Sequence, residues 1–137
     1  AYVTGGHAYH ATLPTDALKD FRDTIIETRY YGFDKLKAEQ WALGNVVRQI
    51  LAAKGVTSVA ADGFGAPGVV VSYTADADIQ NGKRFAAEGM QLAAGVPLQC
   101  DEPADFQTFR LGLFGLDKLY AVEGTLERLR RVVHKIL

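Results

Sequence analysis

The hydrophobic period of this chain first changes between Gly55 and Gly68, and that change limits what it can fold into. Ahead of it, apolar residues recur at helical spacing. Leu18, Phe21 and Ile25 follow Pro14, a residue suited to a first helical turn, with Asp20, Arg22 and Asp23 between them. Gly32 breaks this helix. A second helix is predicted over 34–54, with Leu36, Leu43, Val47, Ile50 and Leu51 on one side and Gly55 closing it. Beyond the change, Val69-Val70-Val71-Ser72-Tyr73 is β-branched and aromatic and predicts a strand. A chain that is helical first and strand-bearing afterwards cannot be an all-α bundle or an all-β barrel.

The later segments complete the pattern. A short strand is expected at 57–61, a helix capped by Asp76 or Asp78 and running to about Ala87, and a strand at 90–94. Residues 106–113 alternate, with Phe109, Leu111 and Leu113 on one face and Thr108, Arg110 and Gly112 on the other. Val122, Leu126, Leu129, Val133 and Ile136 step by four and three along a final amphipathic helix. The fold class expected is α+β: a two-layer sandwich in which a small, mostly antiparallel sheet carries helices on one face. The other sheet face would meet water or a partner. At 137 residues, 48% of them apolar, the chain suffices for a single domain, 1–137, opened by an irregular lead-in at 1–14.

Composition removes several function classes. A net charge of -1 gives no basic surface for nucleic acid. No apolar stretch is long enough to span a bilayer, and the first residues lack the basic-then-apolar pattern of a signal peptide. The single cysteine, Cys100, fits a reducing, cytoplasmic compartment, and its neighbours Asp101 and Glu102 should raise its pKa. His7, His10 and His134 lack the acidic or thiol partners that would complete a metal site. Gly63-x-Gly65-x-x-Gly68 matches a dinucleotide-binding pattern in letters only. A proline and a β-branched run follow it, where the mechanism needs a helix N-terminus.

Two features point to chemistry. Tyr9-His10-Ala11-Thr12 stands just before the first helix, where unpaired amides and the helix dipole favour an anion such as phosphate. From chemistry alone, Thr12 serving as a helix cap and Tyr9 as a packing residue is the better account. Arg110 interrupts an alternating apolar strand, and its planar fork suits a bidentate carboxylate. An internal salt bridge or a solvated sheet-face position accounts for it equally well.

Taken in order, these segments resemble a family. Tyr9-His10-Ala11-Thr12-Leu13-Pro14 is similar to the motif that opens the C-terminal domain of alanine–glyoxylate and serine–pyruvate aminotransferases. Phe109-Arg110-Leu111-Gly112-Leu113-Phe114-Gly115 resembles the arginine strand near the end of the same enzymes. The resemblance, to the small domain of class V, fold-type I aminotransferases, covers nearly the whole chain and implies a set of roles. Arg110 would hold the substrate α-carboxylate. Tyr9 and Thr12 would reach across a homodimer interface to the phosphate of pyridoxal phosphate in the other subunit. Where some relatives carry histidine before the threonine, this chain has Ala11. The substrates implied are a small amino acid and a 2-oxo acid such as glyoxylate or pyruvate. The Schiff-base lysine and most of the cofactor site would belong to a large catalytic domain of the same chain, so the 137 residues are expected to be an excised, inactive domain with no catalytic residue of their own.

Two other readings compete: a free-standing, non-catalytic α+β module that binds a small ligand or self-associates through its open sheet face, and a small enzyme in its own right. The full-length gene would separate them. The resemblance also makes a prediction about the isolated chain. Pyridoxal phosphate should show no saturable band that borohydride traps on one lysine, whereas stoichiometric trapping on a single residue would contradict the reading.

Overall fold

A computed structural model describes Gly5 and residues 12–137. The chain divides into two compact units, Ala1–Phe33 and Asp34–Leu137. In the first, helix α1 (Thr15–Tyr31) starts directly after Pro14, as its sequence predicts, and ends at Gly32, whose φ of 100° suits glycine. None of the residues of α1 is buried, and Leu18, Phe21 and Ile25 are exposed.

Helix α2 (Phe33–Ala52) leads into the second unit. Then come β1 (Val69–Tyr73), α3 (Ala77–Gln80), α4 (Lys83–Ala87), β2 (Ala93–Ala94), β3 (Thr108–Gly112), α5 (Leu116–Tyr120) and α6 (Val122–Ile136). The fold is α+β, with a three-stranded antiparallel sheet in the order β1-β3-β2. Register sets the faces. Val70 stands opposite Leu111 and Ser72 opposite Phe109, and all four are buried. Val71 stands opposite Arg110 on the other face, and Arg110 is also opposite Ala93.

Helices cover the first of these faces. The Phe109 ring meets Phe85 of α4 at 5.6 Å between centroids. Leu43, Val47 and Leu51 of α2 and Leu126, Leu129, Val132 and Val133 of α6 complete the core. The i, i+3, i+4 spacing read from α6 is what puts its apolar stripe there. Gly44 brings α2 down onto the turn before β1, because a Cβ at this position would lie 2.7 Å from the Pro67 carbonyl oxygen. Gln40 of the same helix donates from Nε2 to the Pro67 and Leu113 carbonyls at 3.1 and 3.3 Å.

Four elements differ from the sequence expectation. The expected strand at 57–61 makes one bridge, Ser58 to Ser72, rather than a ladder. The helix expected from Asp76 is divided at Gly82, whose φ is 83°; Asp76 does cap its first part, accepting from the Asp78 and Ile79 amides at 2.8 and 3.2 Å. The strand expected at 90–94 contracts to Ala93–Ala94. Helix α5, which begins after Gly115, had no sequence expectation.

The loop between β2 and β3 is held by a carboxylate. Glu102 accepts from the Gln99 amide at 2.9 Å and the Cys100 amide at 2.8 Å. Gln99 and Asp101 take left-handed φ values of 58° and 63°, a strained backbone that these bonds maintain. Amide donation from Cys100, then Gln99, pulls the Glu102 pKa down to about 2.

Two measurements test this framework. Gly44→Ala should cost about 1–3 kcal/mol through overpacking against Pro67, read as a lower urea midpoint with an unchanged slope; an unchanged midpoint would mean that α2 does not sit this close. For Glu102 the folded pKa lies below the ordinary value, so its bonds are fully made above pH 4.5 and lost as pH falls toward 2. The Gln99 and Cys100 amide resonances should therefore titrate with a midpoint near 2, and a midpoint near 4.5 would show the loop unheld.

Candidate functional site

Arg110 occupies the middle of the middle strand. Its backbone is fixed from both sides, by β1 and by β2, so the Cα that carries the guanidinium sits on the most constrained part of the sheet. Strand alternation sends Phe109 and Leu111 into the core and leaves Arg110, half-buried, on the opposite face. Ala93 directly opposite is small and leaves room there. Arg110 donates from Nε to the Ala94 carbonyl at 2.9 Å, which orients the guanidinium against β2. Among the described residues no carboxylate pairs with it, so the internal salt bridge that the sequence allowed is not what holds it. Among the described residues its Nη nitrogens have no hydrogen-bond partner. Tyr73 lies on the same face at the end of β1, 43% exposed, and meets Phe106 edge-on at 5.6 Å.

The other predicted site residues are placed less fully. Tyr9 lies outside the described residues, as do His7, His10 and Ala11. Thr12 is exposed, two residues ahead of Pro14, which occupies the α1 cap position and makes no side-chain capping bond. Asp16 supplies a negative charge in the first turn of α1. Thr12 and Arg110 belong to different units.

The remaining sequence candidates resolve on local grounds. The glycine turn runs straight into β1 and opens no helix. Gly65 and Gly68 are needed for close approach instead. A Cβ on the first would meet the Arg48 guanidinium at 2.6 Å, and on the second the Phe114 ring, so these glycines pack side chains and build no phosphate cradle. The Cys100 thiol is exposed, and its pKa is raised first by desolvation and then by Glu102; Asp101, which the sequence expected to add to this, does not contribute. His134 is exposed, with its Nδ1 3.2 Å from Lys54 Nζ. Among the described residues no group of three histidine, cysteine or acidic side chains is placed to hold a metal ion, and no helix is long and apolar enough to cross a membrane.

Lysine positions follow the same logic. Lys19, Lys83 and Lys135 pair with surface carboxylates. Lys118 is more enclosed, donating to the Phe114 carbonyl at 2.5 Å beside Asp117, which ties it to the turn into α5.

Sequence reasoning passed over one cation. Arg48 lies beside Val47 and Leu51 on α2 and donates from Nη2 to the Ala66 and Val69 carbonyls at 2.9 and 3.3 Å. An arginine next to the apolar stripe of a helix was the available signal, but only the fold shows the turn carbonyls that receive it.

No family model matches the chain, and no curated protein matches it. Among solved structures, an aspartate aminotransferase of subgroup IV from Thermus thermophilus is similar, with 22% identity and a TM-score of 0.54 over 72% of this chain. The match takes in 27% of the length of that enzyme. At this identity the likeness is one of fold alone, an α+β arrangement shared with about a quarter of that enzyme's chain.

Proposed function

We propose that residues 1–137 are one domain, the C-terminal small domain of a class V, fold-type I aminotransferase. The enzyme would move an amino group between a small amino acid and a 2-oxo acid such as glyoxylate or pyruvate. One observation carries the reading. Arg110, central in the sheet and on the face opposite Phe109 and Leu111, is oriented by Ala94 and has no carboxylate partner among the described residues. A guanidinium held this way is a preorganised receptor for a carboxylate, because little side-chain freedom is lost on binding. The fold likeness to part of an aminotransferase and the two sequence motifs support it.

In this reading the segment before α1 would serve pyridoxal phosphate in a supporting role. Pro14 gives α1 no side-chain cap, and with the Thr15 amide donating to the Leu13 carbonyl at 2.8 Å the Asp16 and Ala17 amides would be the ones to face an acceptor from outside. Tyr9 and Thr12 would hold the phosphate of the other subunit in a homodimer, with Asp16 opposing and therefore limiting that contribution. The exposed apolar residues Leu18, Phe21 and Ile25 support a covering surface from the large domain or the second subunit. The cofactor, when bound, supplies an electron sink for the substrate α-carbon.

The work of this chain is positional. Two parallel N–H···O bonds from Arg110 would fix both the place and the plane of the substrate carboxylate, and with them the direction of the α-C–H bond. The rigid central strand keeps that direction from drifting. The isolated domain, without the lysine of the large domain, would not turn over. A reducing cytoplasmic location accords with a lone, exposed Cys100.

The test is Arg110→Lys in the full-length enzyme. An ammonium cannot reproduce the fork, and a charge-assisted hydrogen bond is worth roughly 1.5–3 kcal/mol. kcat/KM should therefore fall by at least about tenfold, while the absorbance of bound cofactor is retained. Wild-type kcat/KM would make Arg110 structural, and loss of cofactor with normal substrate binding would assign it to the wrong ligand.

A further inference from the structure

Close packing around one carbonyl sets the direction of Arg110. The acceptor for its Nε is the Ala94 carbonyl, 2.9 Å away. That carbonyl shares a planar peptide group with the Gly95 nitrogen, so neither moves without the other. Gly95 is half-buried, and its φ lies outside the left-handed region, so conformation does not call for glycine here. Space does. A Cβ on Gly95 would overlap both the carbonyl group and the Oγ1 of Thr108. Thr108 is 2% exposed and paired with Tyr73 in the sheet, so its backbone cannot yield without moving β3. Any side chain at 95 would therefore lift the end of β2 off β3 and tilt the Ala94 carbonyl.

The residue on the other side of Ala94 is small as well. Ala93 is the Cα partner of Arg110, and directly opposite residues of an antiparallel pair carry their Cβ atoms on one face, about 4.5–5.5 Å apart. The Arg110 stem starts on β3 and reaches a carbonyl of β2, so it passes beside the Ala93 methyl. A branched side chain at 93 would stand in that path. Ala93 and Ala94 are exposed, so packing in a core does not explain their size. An exposed edge strand ordinarily favours β-branched or charged residues. This one reads Ala-Ala-Gly beside the arginine.

We propose that Ala93, Ala94 and Gly95 form a seat for the Arg110 guanidinium, and that Ala93 and Gly95 are positioning residues for the carboxylate site. The proposal rests on the reading of Arg110 as the carboxylate receptor and extends it to residues that touch no substrate. Gly95 acts by keeping the Ala94 carbonyl close to β3, and Ala93 by leaving the path of the stem open. A guanidinium released from the seat keeps its charge but loses its fixed direction, so the cost falls on substrate orientation rather than on folding.

The experiment reads hydrogen exchange at the Arg110 Nε–H by NMR in the 137-residue chain, with the exposed Arg130 as reference. In the unaltered chain the Arg110 proton should exchange about fivefold more slowly, the effect of one held hydrogen bond. Gly95→Ala and Ala93→Val should each bring it to the Arg130 rate while the Val70 and Phe85 amide shifts stay in place. Gly112→Ala adds a methyl to the same sheet in open space and should leave the protection intact. Position 93 is exposed and accepts valine, so Ala93→Val keeps the test decisive should Gly95→Ala fail to fold. In the full-length enzyme both variants should lower kcat/KM by about tenfold or more, with the absorbance of bound cofactor kept. The seat is overturned by an Arg110 proton that exchanges as fast as that of Arg130, by protection that survives Ala93→Val, or by equal loss in Gly112→Ala. The positioning role is overturned by wild-type kcat/KM in Ala93→Val when Arg110→Lys is impaired. Wild-type kcat/KM in Arg110→Lys itself would refute the carboxylate reading, and the exchange pattern would still decide the seat.

Discussion

The second unit of this protein hangs on the burial of Phe109. Its ring packs on Phe85 from one side of the sheet, and the strand that carries it is hydrogen-bonded to a neighbour on each edge. Fully burying a phenylalanine contributes about 1.5–3 kcal/mol. Its structural consequence is larger than that figure. Once Phe109 points into the core, alternation leaves no choice for its neighbours: Leu111 must follow it in, and Arg110 must face away. A one-residue slip would bury a guanidinium among Leu43, Val47 and Leu129 and expose two core residues, so the register of β3 is strongly specified.

This constraint fixes the face on which Arg110 stands. Arg110 cannot follow its neighbours inward, and the short edge strand β2 offers it one carbonyl, that of Ala94. The guanidinium is thus oriented without being neutralised. Arg48 shows a related arrangement on the helix-covered side, where turn carbonyls anchor one nitrogen and leave another unmet. In both places backbone carbonyls fix the direction of a guanidinium.

Close approach, rather than conformational freedom alone, explains several glycines. Gly44 lets α2 reach Pro67, and Gly65 accommodates Arg48. The Gly63–Gly68 pattern, which in letters resembles a nucleotide fingerprint, is a packing device in which Gly65 and Gly68 face side chains of the same unit. The distinction is legible in the sequence, because a β-branched run follows the turn in place of a helix.

The sequence by itself determined the elements whose signals are local and repeated. Apolar residues at helical spacing marked α1, α2 and α6, a β-branched run marked β1, and strict alternation marked both β3 and the face on which Arg110 stands. Each depends on side-chain periodicity, which is written along the chain. Tertiary structure decided what depends on neighbours distant in sequence. Residues 57–61 are limited to one bridge, β2 to the two residues that pair with Arg110 and Phe109, and the helix after Asp76 breaks where Gly82 turns left-handed. The lack of a carboxylate beside Arg110 among the described residues and the unmet nitrogen of Arg48 belong to the same class, since whether a charge is paired depends on side chains brought close only by folding.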